Sequence, residues 1–302
     1  MRNLRINSGF FLILKPAGIT SSDLVLKIKK HKKPIKIGHT GTLDKAAEGL
    51  LILPFGDYTS FSSVFLEEDK GYFAKVRFGK STDSGDRDGN TIDERTPEEI
   101  KAFFSDNITR IEEEISKIID TTSQIPPVIS ALKVGGMRQS SLFRGGIEFE
   151  SVSRKMKIYE FQSQNLTEFG FEMKLRVSSG TYIRKIVIDL GEALSFPMYM
   201  ESLVRTSIGK ISLDHALSVE EVLLPDCKFS KLEELILFPW IDLNEKETKS
   251  VRHGGYVDRK GLEGDFLLRD NSGNLLALCS TVDKKSHLPY RYLKVFYNPD
   301  EN

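Results

Sequence analysis

The spacing of apolar and polar residues predicts several β-strands in the first two thirds of the chain. The segment GYFAKVRFG, from Gly71, alternates apolar side chains with polar or basic ones, as a strand with one buried face does. The run LLIL from Leu50 is continuously apolar, which is typical of a buried strand. Further strands are predicted at FFLIL, from Phe10, and from Phe171 to Val177.

Helical spacing and N-cap residues occur between these strands. Leu24, Val25 and Ile28 form an apolar stripe after the cap candidates TSS at 20–22. The sequence TPEE at 96–99 combines a cap residue, a proline at the first helical position and a glutamate at the third, so a helix begins there. Strands and helices mix without a steady βαβ rhythm, so the expected fold class is α+β.

The end of the chain changes character at about residue 245. After IDLNEKE it reads VRHGGYV, GDFLLRD, NSGNLLALCS and RYLKVF, which are short strand-like segments with Gly and Asn turns and no clear helix. The expected division is one domain over residues 1–244 and a small β-rich domain over residues 245–302. Within the first domain, the Gly-rich and basic stretch at about 125–155 predicts a protruding insertion.

Composition limits the classes of protein that fit this pattern. The chain has 302 residues, of which 39% are hydrophobic and 28% charged, as in an ordinary globular protein of two domains. No apolar run approaches the roughly 18 residues of a membrane span, and the N-terminal apolar run predicts a strand rather than a signal peptide. Cys227 and Cys279 suggest neither a disulfide framework nor a thiolate metal site, so a cytoplasmic protein is expected.

The formal net charge of zero hides one strongly basic stretch. KIKKHKKPIK, residues 27–36, carries six Lys and one His. A solvated helix end explains this composition, and so does a surface that contacts phosphate. The pattern alone does not favour either explanation.

The motif GHTGTLDKAAEG, residues 38–49, places Asp44 between a Gly/Thr turn and a helix-favouring run. Such an aspartate is most often a turn or cap residue, and the alternative is a carboxylate held on a rigid loop as nucleophile or base. His39 in the same motif would by itself most often be structural. The five histidines of the chain show no zinc-binding spacing, so no metal site is expected.

The loop STDSGDRDGN, from Ser81, is rich in acids and contains Asp86. It superficially resembles a calcium-binding EF-hand loop. Ser84 and Arg95 would then occupy the first and last ligand positions, so calcium is not expected. The remaining interpretations are a polar turn and a loop whose acids orient nearby Arg or Lys side chains.

The segment SSGTYIRK places Tyr182 and Arg184 at a predicted strand-to-helix junction. Arg184 is either a surface arginine with a packed stem or a guanidinium aimed at a carboxylate or phosphate. Tyr72 begins a predicted strand, where a tyrosine usually packs. Beside a catalytic acid, the same ring could stack on a nucleic-acid base.

The order of these motifs is more specific than any one of them. GHTGTLD, DKGY, STDSGDRDG, SALK and SGTYIR follow one another, with LKPAGITS before them and LVRTSIG after them. This series resembles the TruB family of tRNA pseudouridine synthases over almost the whole chain. The tail is similar to the PUA-type RNA-binding domain that these enzymes carry. The resemblance implies a mixed, largely antiparallel catalytic sheet with flanking helices, an RNA-clamping insertion and a PUA-like C-terminal domain.

The resemblance also implies a reaction, the isomerisation of uridine 55 in the tRNA T-loop to pseudouridine, without a metal or an organic cofactor. Asp44 matches the family's catalytic carboxylate, Arg184 would pair with it, and Tyr72 would stack on the flipped uracil. The implied substrate-binding residues are His39, Asp86, Lys133, Tyr182 and Leu203. The expected partner is the tRNA T-stem-loop. The protein is expected to be a monomer with no membrane association and no obligatory protein partner.

The sequence departs from the family pattern at three positions. Lys45 follows the catalytic acid where proline is common, Ser60 replaces a usual lysine, and Ile129 replaces a tyrosine before SALK. These changes concern RNA contacts, since none falls on Asp44 or Tyr72. Two other functions remain open, a non-catalytic RNA-binding or tRNA-folding protein on the same scaffold and a guide-RNA-dependent pseudouridine synthase. The intact catalytic set argues against the first, and the short stand-alone chain argues against the second.

Overall fold

The structure, a computed structural model, describes residues 8–33, 36–127, 133–134, 137–138, 145, 147, 151–257, 262–282 and 288–296. Its helices are α1 (Ser21–Lys32), α2 (Ser62–Glu67), α3 (Pro97–Ser116), α4 (Ile183–Leu194), α5 (Val219–Leu223), α6 (Leu232–Leu235) and α7 (Glu245–Arg252), with 3-10 turns at Gly56–Phe61, Lys117–Asp120 and Leu213–His215. Its strands are β1 (Gly9–Lys15), β2 (Glu48–Phe55), β3 (Lys70–Phe78), β4 (Lys80–Thr82), β5 (Thr91–Glu94), β6 (Ser123–Gln124), β7 (Lys133–Val134), β8 (Met137–Arg138), β9 (Arg154–Lys155), β10 (Ile158–Thr167), β11 (Gly170–Val177), β12 (Met198–Ile208), β13 (Ile211–Ser212), β14 (Trp240–Asp242), β15 (Asp265–Arg269), β16 (Leu275–Thr281) and β17 (Tyr290–Val295).

A seven-stranded sheet organises the first of two units, which ends at Phe229. The strand order is β1-β2-β12-β3-β11-β10, and β13 pairs with β12. Strands β2 and β12 run parallel, whereas the other neighbours are antiparallel. The expected α+β fold with a mixed, largely antiparallel sheet and flanking helices is therefore confirmed. Strands far apart in sequence lie side by side, which brings distant residues to one place.

One face of this sheet packs against α3 and α4 and forms the main core. Ala74, Val76 and Phe78 of β3 are buried in it, whereas Lys75 and Arg77 between them are exposed. This alternation confirms the strand predicted from GYFAKVRFG. Each large apolar side chain buried in this way contributes about 1.5–3 kcal/mol to the stability of the fold.

The first strands of the sheet, β1 and β2, have their own helical cover. Leu24 and Ile28 of α1 are fully buried and share a core with Val222 of α5. At the start of α1, the Thr20 hydroxyl accepts the Asp23 N–H over 3.1 Å, and the Asp23 carboxylate accepts the Thr20 N–H over 3.1 Å. The stripe and cap predicted from the sequence are both present. The first turn of α1 also contacts the loop that carries Asp44, because Ser21 is hydrogen-bonded to Leu43.

The second unit begins at Ser230 and contains the four-stranded sheet β14-β15-β16-β17. Its core includes Phe266, Leu268 and Ala277. A small β-rich C-terminal domain, as the resemblance implied, is confirmed. The expected boundary lies between residues 244 and 245, and in the structure β14 already pairs with β15 in this sheet.

The expectation that the C-terminal domain has no helix is wrong. Helix α7 forms where the sequence reads NEKETKSVR. The Asn244 side chain accepts the Glu247 N–H over 3.0 Å, and the Glu247 carboxylate accepts the Asn244 N–H over 3.0 Å. This reciprocal capping box, together with burial of Val251, stabilises a helix whose sequence is mostly polar.

Most of the expected insertion, residues 125–155, lies outside the described residues. Strand β6, just before it, pairs with β9 at its end, and β7 pairs with β8 within it. No helix in the part of the chain that the structure describes is long and apolar enough to cross a membrane.

Gly49 marks a very close approach between β2 and β12. Its φ is +115°, and a Cβ there would lie 2.4 Å from the carbonyl oxygen of Arg205 and 2.5 Å from its nitrogen. We expect Gly49→Ala to lower the free energy of unfolding by more than about 3 kcal/mol. Backbone strain of about 1–3 kcal/mol would add to a clash with backbone that cannot move aside. Urea denaturation measures this loss.

Gly18→Ala is the matched control for this prediction. Gly18 also has a positive φ, +88°, but no atom lies within 4 Å of the position that its Cβ would take. The control should lose only the stability that backbone strain costs. Equal losses in the two variants would contradict the steric explanation.

Candidate active site

Asp44 lies in the loop between α1 and β2, and the residues beside it are tied to the region where α1 begins. The Leu43 N–H donates to the Ser21 hydroxyl over 2.9 Å, and this hydroxyl donates to the Leu43 carbonyl over 3.2 Å. On the other side, the Gly18 N–H donates to the Lys45 carbonyl over 2.8 Å. Because both neighbours of Asp44 are hydrogen-bonded in this way, its carboxylate is carried on a rigid loop.

The helix-favouring residues after Asp44 form no helix. The backbone bends and enters β2 at Glu48. Parallel pairing with β12 and complete burial of Ala47 and Leu50 override the local helix propensity. The helix-favouring run behind Asp44 therefore forms no helix, and strand β2 anchors the loop.

Arg184, in the first turn of α4, meets Asp44. Its Nε lies 2.9 Å from Asp44 Oδ2, and its Nη2 donates to Asp44 Oδ1 over 3.3 Å. Its Nη1 donates to the Ser84 carbonyl over 3.2 Å. The Arg184 side chain is only 5% exposed, whereas that of Asp44 is 36% exposed. The buried guanidinium therefore orients a carboxylate that stays accessible.

Asp86 belongs to the turn that contacts Arg184, and it is buried. Its carboxylate accepts the Ser84 hydroxyl over 2.7 Å and the Asp88 N–H over 3.1 Å. Ser84 in turn presents its carbonyl to Arg184. The Asp86 carboxylate thus stabilises the turn that helps to fix the guanidinium.

Tyr182 immediately precedes α4, and Gln124 holds its backbone. The Tyr182 N–H donates to Gln124 Oε1 over 2.7 Å, and Gln124 Nε2 donates to the Tyr182 carbonyl over 3.2 Å. The Arg184 guanidinium lies 5.9 Å from the centre of the Tyr182 ring, within cation–π range. Sequence reasoning misses Gln124, because nothing in SQIPP distinguishes this buried amide from a surface one.

A pocket of about 250 Å³ opens beside the Asp44 carboxylate. Its walls come from the Asp44 loop, the start of α4 and the neighbouring strands β3 and β12. Five predicted site residues line it: Asp44, Tyr72, Tyr182, Arg184 and Leu203. Apolar and aromatic walls with a few convergent polar groups are typical of a small-ligand site, and the size suits a small planar group.

The other predicted site residues lie elsewhere. Neither His39 nor Asp86 is among the described residues that line the pocket. Burial lowers the pKa of the His39 imidazole, and the nearby charge of Arg205 lowers it further, so the ring is neutral at pH 7. Lys133 begins β7, and its side chain lies outside the part of the chain that the structure describes.

Several tRNA pseudouridine synthases B are similar in sequence to this chain over most of its length. A family model described as TruB family pseudouridylate synthase (N terminal domain) matches residues 27–183. The tRNA pseudouridine synthase B of Leptospira interrogans serogroup Icterohaemorrhagiae serovar copenhageni (strain Fiocruz L1-130) is 42% identical over 291 residues, which cover 96% of this chain and 94% of the relative. A protein of the same name from Azoarcus sp. (strain BH72) is 35% identical over 273 residues, 88% of each chain. The chain belongs to the TruB family.

Solved structures share the fold at low sequence identity. A chain in the crystal structure of a Cbf5-Nop10-Gar1 complex matches with a TM-score of 0.65 and 20% identity, covering 97% of this chain and 86% of its own length. A chain of the archaeal box H/ACA sRNP Nop10-Cbf5 complex matches with a TM-score of 0.65 and 18% identity, covering 98% and 88%. These likenesses concern the fold alone. Sequence identity to the named relatives makes this TruB-family chain a pseudouridine synthase.

The site of this TruB-family enzyme also contains buried cations that sequence reasoning misses. Lys15, Lys70 and Arg205 are all buried, and Lys70 and Arg205 line the pocket. The Lys15 ammonium donates to two backbone carbonyls and the Lys70 ammonium to three. Arg205 could have been found, since it lies two residues after Leu203 and residues two apart in a strand share one face. No such pattern marks the two lysines.

Burial lowers the pKa of both lysines to about 8. For Lys15 the charge of Asp44 opposes this shift, and for both lysines the charge of Arg205 adds to it. Within the described residues, no cluster of three or more His, Cys, Asp or Glu side chains has an arrangement that could hold a metal ion. Buried cations, rather than such a cluster, accompany the acid in this site.

The pKa of Lys70 makes the stability of the protein depend on pH. It is about 8 in the folded chain and about 10.4 in an unfolded one. Between these values the unfolded state binds more protons, so stability from this group rises with pH and is lost as pH falls through 8. We expect the free energy of unfolding, measured with urea from pH 7.5 to 10.5, to rise more steeply in wild type than in Lys70→Met.

Lys101→Met is the control, because Lys101 is an exposed lysine of α3. Its stability curve should run parallel to that of the wild-type protein across this pH range. A Lys70→Met curve that also ran parallel to wild type would contradict the lowered pKa of Lys70.

Proposed function

We propose that this TruB-family enzyme isomerises uridine 55 in the T-loop of tRNA to pseudouridine. The observation that carries the proposal is the Asp44 carboxylate, held 2.9 Å from the buried Arg184 at the wall of a pocket of about 250 Å³. Binding RNA alone does not call for a carboxylate facing the ligand, because phosphate repels it. We infer tRNA as the substrate from the names of the relatives that are 35% and 42% identical.

The proposed reaction breaks the C1′–N1 glycosidic bond and forms a C1′–C5 bond to the same sugar. N1 leaves with the electron pair of the broken bond, and the uracil rotates within the pocket. After the new bond forms, C5 loses its hydrogen as a proton and N1 gains one. Asp44 either attacks C1′ and forms an ester, which C5 then displaces to free the carboxylate, or removes the proton at C2′, which returns to C2′ as C5 bonds to C1′. Because the uracil stays bound after it leaves C1′, one carboxylate suffices where glycosidases use two.

We assign the binding of the base to the other residues of the pocket. Tyr72, half-buried on β3, stacks on the flipped uracil and assists the loss of the C5 proton. Leu203 supplies an apolar contact to the base, and Tyr182 contacts the substrate from the start of α4. Flipping a base out of its stack costs a few kcal/mol, which these contacts offset. The neutral ring of His39 takes the place that the nucleotide leaves.

Contacts outside the pocket supply affinity rather than chemistry. We assign Lys133 and the insertion at 125–155 to the T-stem and the PUA-like C-terminal domain to further RNA contact. We also propose that the enzyme acts as a cytoplasmic monomer without an obligatory protein partner, metal or organic cofactor. The three residues to which we assign catalysis, Asp44, Tyr72 and Arg184, line one pocket of a single chain, which supports this proposal. Cys227 and Cys279 are free, as is usual in a reducing compartment.

Asp44→Asn tests the role of the carboxylate, because the amide keeps its shape and removes its charge. We expect turnover to disappear and tRNA affinity to stay within a few-fold of wild type. The assay uses an unmodified tRNA transcript with tritium at C5 of uracil, which is released only when C5 loses its hydrogen. Tritium release that persists in Asp44→Asn would contradict the mechanism. Loss of tRNA binding would instead show that Asp44 is a structural residue. Asp57→Asn, at an exposed aspartate, should behave as wild type.

A second transcript, with cytidine at position 55, tests the proposed nucleotide. Tritium release that disappears with this transcript supports uridine 55, and release that persists assigns the activity to another uridine. A wild-type protein that binds the first transcript tightly without releasing tritium would instead be an RNA-binding or tRNA-folding protein on this scaffold.

A further inference from the structure

Arg205 of β12 lines the pocket and is 1% exposed. Among the described residues it forms no ion pair with a carboxylate. Burial lowers the pKa of its guanidinium, because it disfavours the charged form. A buried cation without a carboxylate partner lowers stability unless its hydrogen bonds are well satisfied. The contacts of the guanidinium therefore indicate why an arginine occupies this position.

The guanidinium binds two separate parts of the site and faces a third. Its Nε donates to the Leu50 carbonyl of β2 over 2.8 Å, and its Nη2 donates to the Gly41 carbonyl over 3.2 Å. Burial lowers the pKa of this guanidinium, and the nearby Tyr72 hydroxyl opposes that shift. Tyr72 lies directly opposite Arg205 on β3, a register in which side chains on one face come within contact distance. Gly41 belongs to the Gly/Thr turn that precedes Asp44.

We propose that Arg205 is a positioning residue of the isomerisation, which holds the Tyr72 hydroxyl and the Gly41 carbonyl at fixed places in the pocket wall. This inference rests on the proposed function and assigns Arg205 no contact with the uridine. Without such a partner, the hydroxyl and ring of Tyr72 would have rotational freedom. A misplacement of about 1 Å can cost a reaction about a hundredfold in rate.

The geometry requires an arginine rather than any cation. A guanidinium presents five N–H donors in a fixed planar fork, so it can reach two carbonyls and a hydroxyl that lie in different directions. A lysine has one nitrogen at the end of a flexible stem. Lys70 shows what such a group does in the same pocket, because its ammonium binds three carbonyls close together at the end of α2.

The test is a double-mutant cycle of Arg205→Lys and Tyr72→Phe, the latter removing the hydroxyl and keeping the ring. The measured quantities are kcat and KM for tritium release from the uridine-55 transcript. We expect Arg205→Lys to lower kcat about tenfold in the wild-type background and less than about twofold in the Tyr72→Phe background, with KM within about twofold. A merely structural role would lower kcat by the same factor in both backgrounds, and this result would overturn the proposal.

Lys70→Met is the matched control, a second buried cation of the same pocket whose hydrogen bonds all end on backbone carbonyls. It should lower kcat by one factor in both the wild-type and Tyr72→Phe backgrounds. Equal coupling of Lys70→Met and of Arg205→Lys to the tyrosine hydroxyl would overturn the specific assignment, because loss of any buried cation would then explain the effect.

Urea denaturation of the four proteins gives a second cycle that requires no activity. Non-additive free energies of unfolding support a contact between the guanidinium and the hydroxyl, and additive ones overturn it. Arg205→Gln replaces Arg205→Lys under the same criteria where the lysine variant does not fold. A wild-type protein that releases no tritium contradicts the proposed function, and the positioning role with it. Wild-type release with additive cycles contradicts only the role of Arg205.

Discussion

The site depends on a buried guanidinium that faces an accessible carboxylate. Arg184 is shielded from water, so its charge must be matched where it stands, and Asp44 and the Ser84 carbonyl match it. A buried ion pair need not stabilise a fold, but it strongly restricts where its members can lie. The hydrogen bonds of Ser21 to the Asp44 loop and of Gln124 to the start of α4 keep both ends of the pair in place. Geometry, more than stability, is what this ion pair provides.

The sheet explains how residues distant in sequence reach this ion pair. Strand β2 runs parallel to β12, and β12 in turn pairs with β3. This order brings the strand that follows the Asp44 loop beside Arg205 and sets Tyr72 across from it. The two backbones approach so closely at Gly49 that a side chain does not fit there. A glycine outside the pocket is therefore a condition for the pocket, because it allows the strand contact on which the order depends.

Local signals could be predicted from the sequence, and contacts set by strand order could not. The period-two pattern predicts β3, and the TPEE cap predicts α3, because each depends only on neighbouring residues. Asp44 and Arg184 could be assigned to one site only through resemblance to a family. Lys15 and Lys70 escaped notice because a lysine at a strand end usually reaches water. Helix α7 was not predicted, although the sequence NEKE contains its Asn244 capping box. The strand-like segments around it favoured an all-β interpretation.

Local charge, rather than the net charge of zero, determines what this pocket favours. The charge of Asp44 acts on Lys15, and the charge of Arg205 acts on Lys15, Lys70 and His39. Charges that are removed from water interact more strongly than exposed ones. In the proposed reaction, such a pocket stabilises the negative charge that uracil gains when N1 takes the electrons of the glycosidic bond. In the proposed function, affinity and chemistry therefore depend on different residues, and the carboxylate belongs to the chemistry.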